Sequence, residues 1–355
     1  MKFALIYYHP QDPNQDFSQR DHWGDPAVHS HNAWHSFCAA TRGKFYSLLE
    51  STAFKELNET PPDIALFAFT SPDFYFLEVY PRLAERLKKK GCIVLFSFHE
   101  NTEILNQITG VHPNYLGQIR TLAAYFDAYI NVDFPMQNDF WKSVTDKPVF
   151  NWRYCFPKEK MFFVPWEKKL GLILGPRLLS RPRRNFVQNL SLGISLAEKL
   201  KTHLTVIDEE DACPSIVQAS CLRRFRHPLN WYDYLRELSQ HKIVINIDHT
   251  LSFGRVPADS CFSGTLCFGG VSECQRLLFP ELGYRETDTK AIERQVLAWY
   301  ENRQKYELYL SKARATFDRH LTYESFRHTL GNTLEQLRDL ASTSPMNAIA
   351  ETPSR

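Results

Sequence analysis

The chain has 355 residues, a length that suits two domains of roughly 150 residues each. Hydrophobic residues make up 43% and charged residues 23%, which supplies an ordinary folded core and excludes a disordered or collagen-like chain. Lys and Arg number 42 against 40 Asp and Glu, a net charge of +2, so the protein is not a general polyanion binder and no nucleic-acid partner is expected. Eight cysteines without a CxxC pair argue against a disulfide scaffold or zinc ribbon and fit a reducing compartment.

The N-terminal stretch MKFALIYYHP carries only a short apolar run, less than a secretory signal needs. No apolar run approaches the ~20 residues that cross a bilayer. A cytoplasmic location is expected, and peripheral contact with the inner face of a membrane is compatible with it. Along the chain, strands are predicted at 3–8 and 64–69. A helix at 76–90 contains Pro81, which would move its start toward the proline. A strand at 92–98, a helix at 115–126 and a strand at 128–132 follow. Residues 150–170 have two prolines and no clean period, which marks a boundary. Beyond it come strand 170–174, helix 185–200, strand 204–207, helix 231–240 and strands 243–247 and 265–268. Residues 290–337 are a long polar helical stretch expected to pack back across the first domain. Most strands are continuous apolar runs, which suits parallel sheets buried on both faces. The fold class is α/β with two Rossmann-like domains. Residues 1–155 form the first, 156–335 the second, and 336–355 a frayed tail.

The chemistry concentrates in the second half. After the strand ending near Asn246, a loop with Gly254 and Arg255 leads to a short helix opening at Pro257, a residue tolerated in the first turn. Gly264 ends that helix and Thr265 opens a strand that closes on Gly269-Gly270. Backbone N–H groups at such a turn favour a diphosphate. Asp259 in the first turn could accept two hydrogen bonds from a ribose diol. Nine basic side chains against two acidic ones lie between Asn151 and Asn185. Arg177, Arg181, Arg183 and Arg184 directly follow strand 170–174, where ligands of doubly wound sheets gather and guanidinium groups can hold a diphosphate. In the first half, strand 92–98 runs into His99-Glu100-Asn101, which offers a general base. Five histidines between Tyr8 and His35 fit no standard metal spacing. Trp23, Trp34, Phe74, Tyr75 and Phe76 are better suited to core packing than to sugar stacking. Asp208-Glu209-Glu210-Asp211 is a run of acids, not a spaced metal-binding pair.

The run Leu251-Ser-Phe253-Gly254-Arg-Val-Pro-Ala-Asp259-Ser-Cys-Phe-Ser-Gly264-Thr265 follows a strand ending in Asn246. Phe279-Pro-Glu281 and Thr322-Tyr-Glu-Ser-Phe-Arg327 come after it. This order resembles the donor-binding domain of GT-B glycosyltransferases, over residues 170–335. The likeness is to the large retaining nucleotide-sugar family and to the related spore-maturation-type group 1 domain. It implies two domains facing across a cleft and a hexosyl-type transferase with a nucleotide-sugar donor. The acceptor, a glycan or lipid-linked molecule, would sit in the first half. Asn246, Gly254, Arg255, Asp259, Gly264 and Thr265 would form the donor site. Arg177, with Arg181 or Arg184, would neutralise the leaving diphosphate, so no metal and no other cofactor is expected. His99 and Glu100 would serve the reacting sugar. Two positions depart from the family: Ser252 replaces a glycine, and Leu251 replaces the first of two acids eight positions apart, the one that contacts the transferred sugar. The second falls on Asp259. Leu251 keeps open a non-catalytic sugar- or nucleotide-binding protein on the same fold. A dinucleotide dehydrogenase is disfavoured because no G-x-G-x-x-G follows a strand, and a Walker P-loop is absent.

Overall fold

The computed structural model describes residues 1–7, 14–20, 34–48, 50–69, 75–98, 102–132, 134–175, 185–207, 219–225, 230–248, 252–285 and 287–343. Two sheets organise them. The first holds β1 (Phe3–Tyr7), β2 (Gln15–Asp16), β3 (Lys44–Ser47), β4 (Ile64–Phe69), β5 (Ile93–Phe98), β6 (Ala128–Asn131) and β7 (Val149–Asn151), in the order β2-β3-β1-β4-β5-β6-β7. All neighbours are parallel except β2 with β3. The second holds β8 (Leu170–Leu174), β9 (Leu204–Ile207), β10 (Leu222–Phe225), β11 (His241–Asn246) and β12 (Leu266–Gly269), in the order β10-β9-β8-β11-β12 and wholly parallel. Continuous apolar segments make these strands because helices cover both faces: every residue of β1 and β4 is buried.

The helix predicted at 76–90 runs Tyr75–Lys88 with Pro81 inside it, so it does not begin at the proline. Pro81 removes one backbone donor from the helix. The buried face of Tyr80, Leu83, Ala84 and Leu87, together with the Tyr80 hydroxyl donating to Ala68 O at 2.8 Å, holds the helix against that defect. Likewise, the short helix of the second half spans Arg255–Phe262 and starts two residues before Pro257.

The two sheets share one apolar core, and the chain crosses between them twice in contact. Phe156 N donates to Leu321 O at 2.8 Å, and Tyr323 N donates to Phe156 O at 3.1 Å. The C-terminal helix, Tyr323–Thr343, packs on the helix His35–Thr41 of the first half. Phe326 stacks on Phe37 at 4.6 Å, Arg327 Nη1 donates to Ala40 O at 2.9 Å, and Trp152 Nε1 donates to Thr333 Oγ1 at 3.1 Å. The last segment therefore returns to the first half as the sequence suggested. Its helix passes residue 336, the expected start of the tail, and continues to Thr343, with Leu337 packed on the core. Among the described residues, no helix is long and apolar enough to cross a membrane.

Candidate functional site

The order of the second sheet reverses between β8 and β11. In doubly wound sheets a crevice opens at that point, beyond the carboxyl ends of the strands. Gly175 follows β8 there, its N–H bonded to Ile245 O at 2.9 Å. A Cβ on Gly175 would stand 2.5 Å from Asn246 Oδ1, so only glycine lets the end of β8 approach the amide that closes β11. Asn246 is 5% exposed, and its Oδ1 is buried without a hydrogen-bond partner. A buried acceptor left unpaired costs roughly 1–3 kcal/mol. Such an atom at a switch point suits a ligand donor.

The described residues that flank 249–251 after β11 are held from several sides. Asn189, fully buried on the helix Phe186–Lys199, accepts from Ile247 N at 2.9 Å and donates to Ile247 O at 3.0 Å. Gly254 adopts φ +69° before the helix Arg255–Phe262, and a Cβ there would meet the Ser272 side chain at 2.2 Å. A Cβ on Gly270 would come within 1.6 Å of Asp248 O. Glu273 N donates to Ser252 O and Cys274 N to Phe253 O. These close approaches explain the glycines at 254 and 270 better than turn preference alone.

Arg255 and Asp259 do come together, with a third partner. Asp259 is 4% exposed, and its Oδ1 accepts from Arg255 Nε and from Trp231 Nε1, each at 3.3 Å. The Arg255 guanidinium lies 4.0 Å over the Trp231 ring. Burial pushes the Asp259 carboxyl up to about 6, against the opposing pull of Arg255 and the Trp231 hydrogen bond. One oxygen of Asp259 is thus engaged inside the protein, in a stacked triad that also fixes Arg255.

Gly264 and Thr265 stand elsewhere and correct their assignment to the donor set. They precede β12, at the amino end of the sheet, whereas Asn246 pairs with Gly269 at its carboxyl end. The Thr265 hydroxyl donates to Leu238 O at 2.9 Å and lies 3.0 Å from His241 O. Gly264, at φ +72°, admits Arg314, which donates to Phe162 O at 2.8 Å. Lys169 closes this end: its buried Nζ donates to Ser239 O at 2.7 Å and His241 O at 3.2 Å, and burial, then Arg314, brings the amine down to about 7. These two positions tie the ends of elements together.

His99, Glu100, Arg177, Arg181 and Arg184 lie outside the described residues, as does Leu251. So do the early histidines apart from His35, which is packed 4.3 Å from the Phe45 ring. Trp34 is in the core. Sequence reasoning missed Arg153, Glu273 and Arg276. Arg153, between β7 and the second half, donates from Nε at 2.9 Å and Nη2 at 2.7 Å to Glu273 Oε1. Burial raises the Glu273 carboxyl while Arg153 opposes that shift. Arg276 reaches the Phe134 ring at 5.2 Å, and Tyr154 meets Phe253 at 5.2 Å. The carboxyl edge of the second sheet therefore faces the first half. Asn189 was readable as a polar residue on an otherwise apolar helix face. The Arg153–Glu273 pair, 120 residues apart in the chain, left no local signal.

No family model matches the chain, and no curated protein matches its sequence. Solved structures match its shape. A sucrose-phosphate synthase from Thermosynechococcus elongatus is 11% identical, covers 96% of this chain and all of its own, and gives a TM-score of 0.66. A trehalose-6-phosphate synthase, OtsA, is 9% identical over 95% of this chain and 99% of its own, with a TM-score of 0.61. Staphylococcus aureus TarM, solved with UDP, fondaparinux and α-GlcNAc-glycerol, is 11% identical over 82% of this chain and 60% of its own, at 0.59. With two parallel Rossmann-like sheets and a switch-point edge turned toward the first half, the chain has the GT-B glycosyltransferase fold.

Proposed function

We propose that the protein transfers a sugar from a nucleotide-sugar donor to a glycan or lipid-linked acceptor, and does so without a metal ion. The observation that carries this reading is the buried, unpaired Asn246 Oδ1 at the switch point of the second sheet, in a fold whose solved neighbours include one holding UDP. In this reading the donor lies along the carboxyl ends of β8 and β11, and Asn246 accepts from a donor hydroxyl or amide. Breaking the anomeric C–O bond puts growing negative charge on the departing diphosphate. Fixed positive groups stabilise that charge more in the transition state than in the substrate. Arg177, Arg181 and Arg184, which follow β8 in the chain, are the proposed source, supported by Gly254 and Arg255. Asp259 fixes Arg255 and takes the ribose with its remaining oxygen. His99 and Glu100, after β5, are proposed to meet the transferred sugar and the acceptor hydroxyl.

The test incubates the protein with a panel of nucleotide sugars, UDP-sugars first, and assays released nucleoside diphosphate. Turnover of one donor is expected, and Asn246→Leu should weaken donor binding about tenfold, the loss of one buried hydrogen bond. Unchanged affinity in that variant removes the site. Activity should survive EDTA; loss on chelation with recovery on Mn²⁺ or Mg²⁺ would contradict the metal-free route. Leu251 in place of an acid favours a second reading, a binder without turnover, which shows saturable donor binding and no diphosphate release.

A further inference from the structure

The carboxyl edge of the second sheet is held from outside its own half. Just past β7, the backbone is tied to the first half at two points. Trp152 N donates to Asn131 O at 3.0 Å, and Cys155 N donates to Ser36 Oγ at 3.3 Å. Between these anchors, two consecutive side chains reach the second half. Arg153 donates from Nε at 2.9 Å and from Nη2 at 2.7 Å to Glu273 Oε1. Tyr154, 5% exposed, meets Phe253, 2% exposed, edge-on with ring centroids 5.2 Å apart.

Both receivers belong to one unit. Glu273 N donates to Ser252 O at 3.1 Å and Cys274 N to Phe253 O at 2.9 Å. Ser272 packs so closely on Gly254 that a Cβ there would stand 2.2 Å from it. The segment Ser252–Gly254 is therefore pinned to the start of the helix Glu273–Leu278, and Arg153 grips that start. The same segment leads into the helix Arg255–Phe262, which carries Arg255 and Asp259. On its other side the turn reaches β11, where Gly270 N donates to Asn246 O at 3.2 Å. An ion pair drawn out of water adds little net stability over an apolar pair of the same volume, and its best-attested use is to fix register. Two donors on one carboxylate oxygen fix the orientation of the guanidinium as well as its distance.

We propose that Arg153 and Tyr154 are positioning residues for the donor: from the first half, they set the seat of Ser252–Gly254 and thereby the affinity of the site for a nucleoside diphosphate, acting through Glu273 and Phe253. This role rests on the donor-site reading above and adds that the first half controls donor affinity. By linkage, a diphosphate seated at the site favours the latched arrangement by the same factor.

The experiment titrates the full chain with UDP, GDP and ADP by calorimetry. It also follows backbone amide exchange, without nucleotide, in the peptides that contain Glu273 and Cys274. Arg153→Met should weaken the tightest of these diphosphates by about five- to tenfold and speed exchange at Glu273 and Cys274. Arg153→Lys, which keeps the charge and a donor, should recover part of both. Tyr154→Leu should weaken binding in the same direction. Phe326→Leu, which loosens the returning helix away from Ser252–Gly254, should lower stability and leave diphosphate affinity and that exchange unchanged. If Arg153→Met does not fold, Arg153→Lys and Tyr154→Leu carry the same two readouts. Failure of the wild-type protein to bind any of the three diphosphates removes the donor site and this role together. Saturable binding that is unaltered in Arg153→Met and Tyr154→Leu, with the fold intact by circular dichroism, keeps the donor site and overturns the positioning role alone. Unchanged exchange in Arg153→Met overturns it too. An equal loss of affinity in Phe326→Leu assigns the effect to general loosening of the two halves and likewise overturns it.

Discussion

Asp259 shows how one buried side chain links stability to chemistry. Its carboxyl titrates near 6 in the fold, raised chiefly by burial, against about 3.9 when unfolded. A raised carboxylate stabilises the fold below the unfolded value and loses that contribution as pH rises through the folded one. Between about pH 4 and 6 this residue therefore makes the protein less stable as pH increases. His241 works in the opposite direction over an overlapping window, because burial brings its imidazole down to about 4 and the fold resists its protonation. The two must be separated by difference. Asp259→Asn keeps an acceptor for Arg255 and Trp231 but cannot ionise. Its stability relative to wild type should rise across pH 4 to 6 by roughly 2–3 kcal/mol, the worth of a two-unit shift. Urea melts of both proteins at several pH values measure this, and parallel curves would show that Asp259 is not the titrating group. The residue was legible in the sequence as an acid early in a short helix, but its partner Trp231 was not. Nothing in a linear pattern signals an indole donor 28 positions away.

Elements with long apolar runs were legible and short polar ones were not. The strand predicted at 64–69 appears as β4 (Ile64–Phe69), and 170–174 as β8 (Leu170–Leu174). Their compositions leave no alternative to double-sided burial. In contrast, β3, β7 and β10 went unread. They are three or four residues long, lie at or near sheet edges and carry polar side chains such as Lys44, Asn151 and Arg223, the devices by which edges avoid further pairing. The C-terminal helix was visible as a helix, but its seat against the first half depends on side-chain fit. Phe326, 3% exposed, stacks on Phe37 and meets Trp152 edge-on at 5.2 Å. Phe326→Ala should cost about 3–5 kcal/mol, as cavity-forming aromatic truncations do. A cost under about 1 kcal/mol in equilibrium unfolding would mean the helix does not depend on that contact.

At the scale of the molecule, the two halves share an apolar core and the returning helix, and a few polar and aromatic bridges join them around the candidate site, with Arg153–Glu273 as the ion pair among these. Glu273 is 11% exposed at its side chain and Arg153 32%, so the two partners are unequally placed. Removing Arg153 leaves a carboxylate in a desolvated position, whereas neutralising Glu273 leaves a guanidinium that still reaches water. Arg153→Met should therefore destabilise more than Glu273→Gln, by roughly 1–2 kcal/mol once the partial exposure of the arginine is discounted. The double variant should recover part of the loss. The effect has a definite pH sign. Burial already raises the Glu273 carboxyl and Arg153 holds it down, so without Arg153 the acid stays protonated to higher pH. The penalty of Arg153→Met then grows as pH rises through the range where Glu273 ionises, and shrinks on acidification when the carboxyl is neutral in both proteins. A double-mutant cycle measured by urea denaturation at acid and at neutral pH separates this from simple loss of packing by the arginine stem. A coupling that vanishes on acidification belongs to the ion pair. Additive, pH-independent losses would mean that the halves are held by Tyr154–Phe253, Arg276–Phe134 and the returning helix, with the ion pair contributing nothing to their attachment.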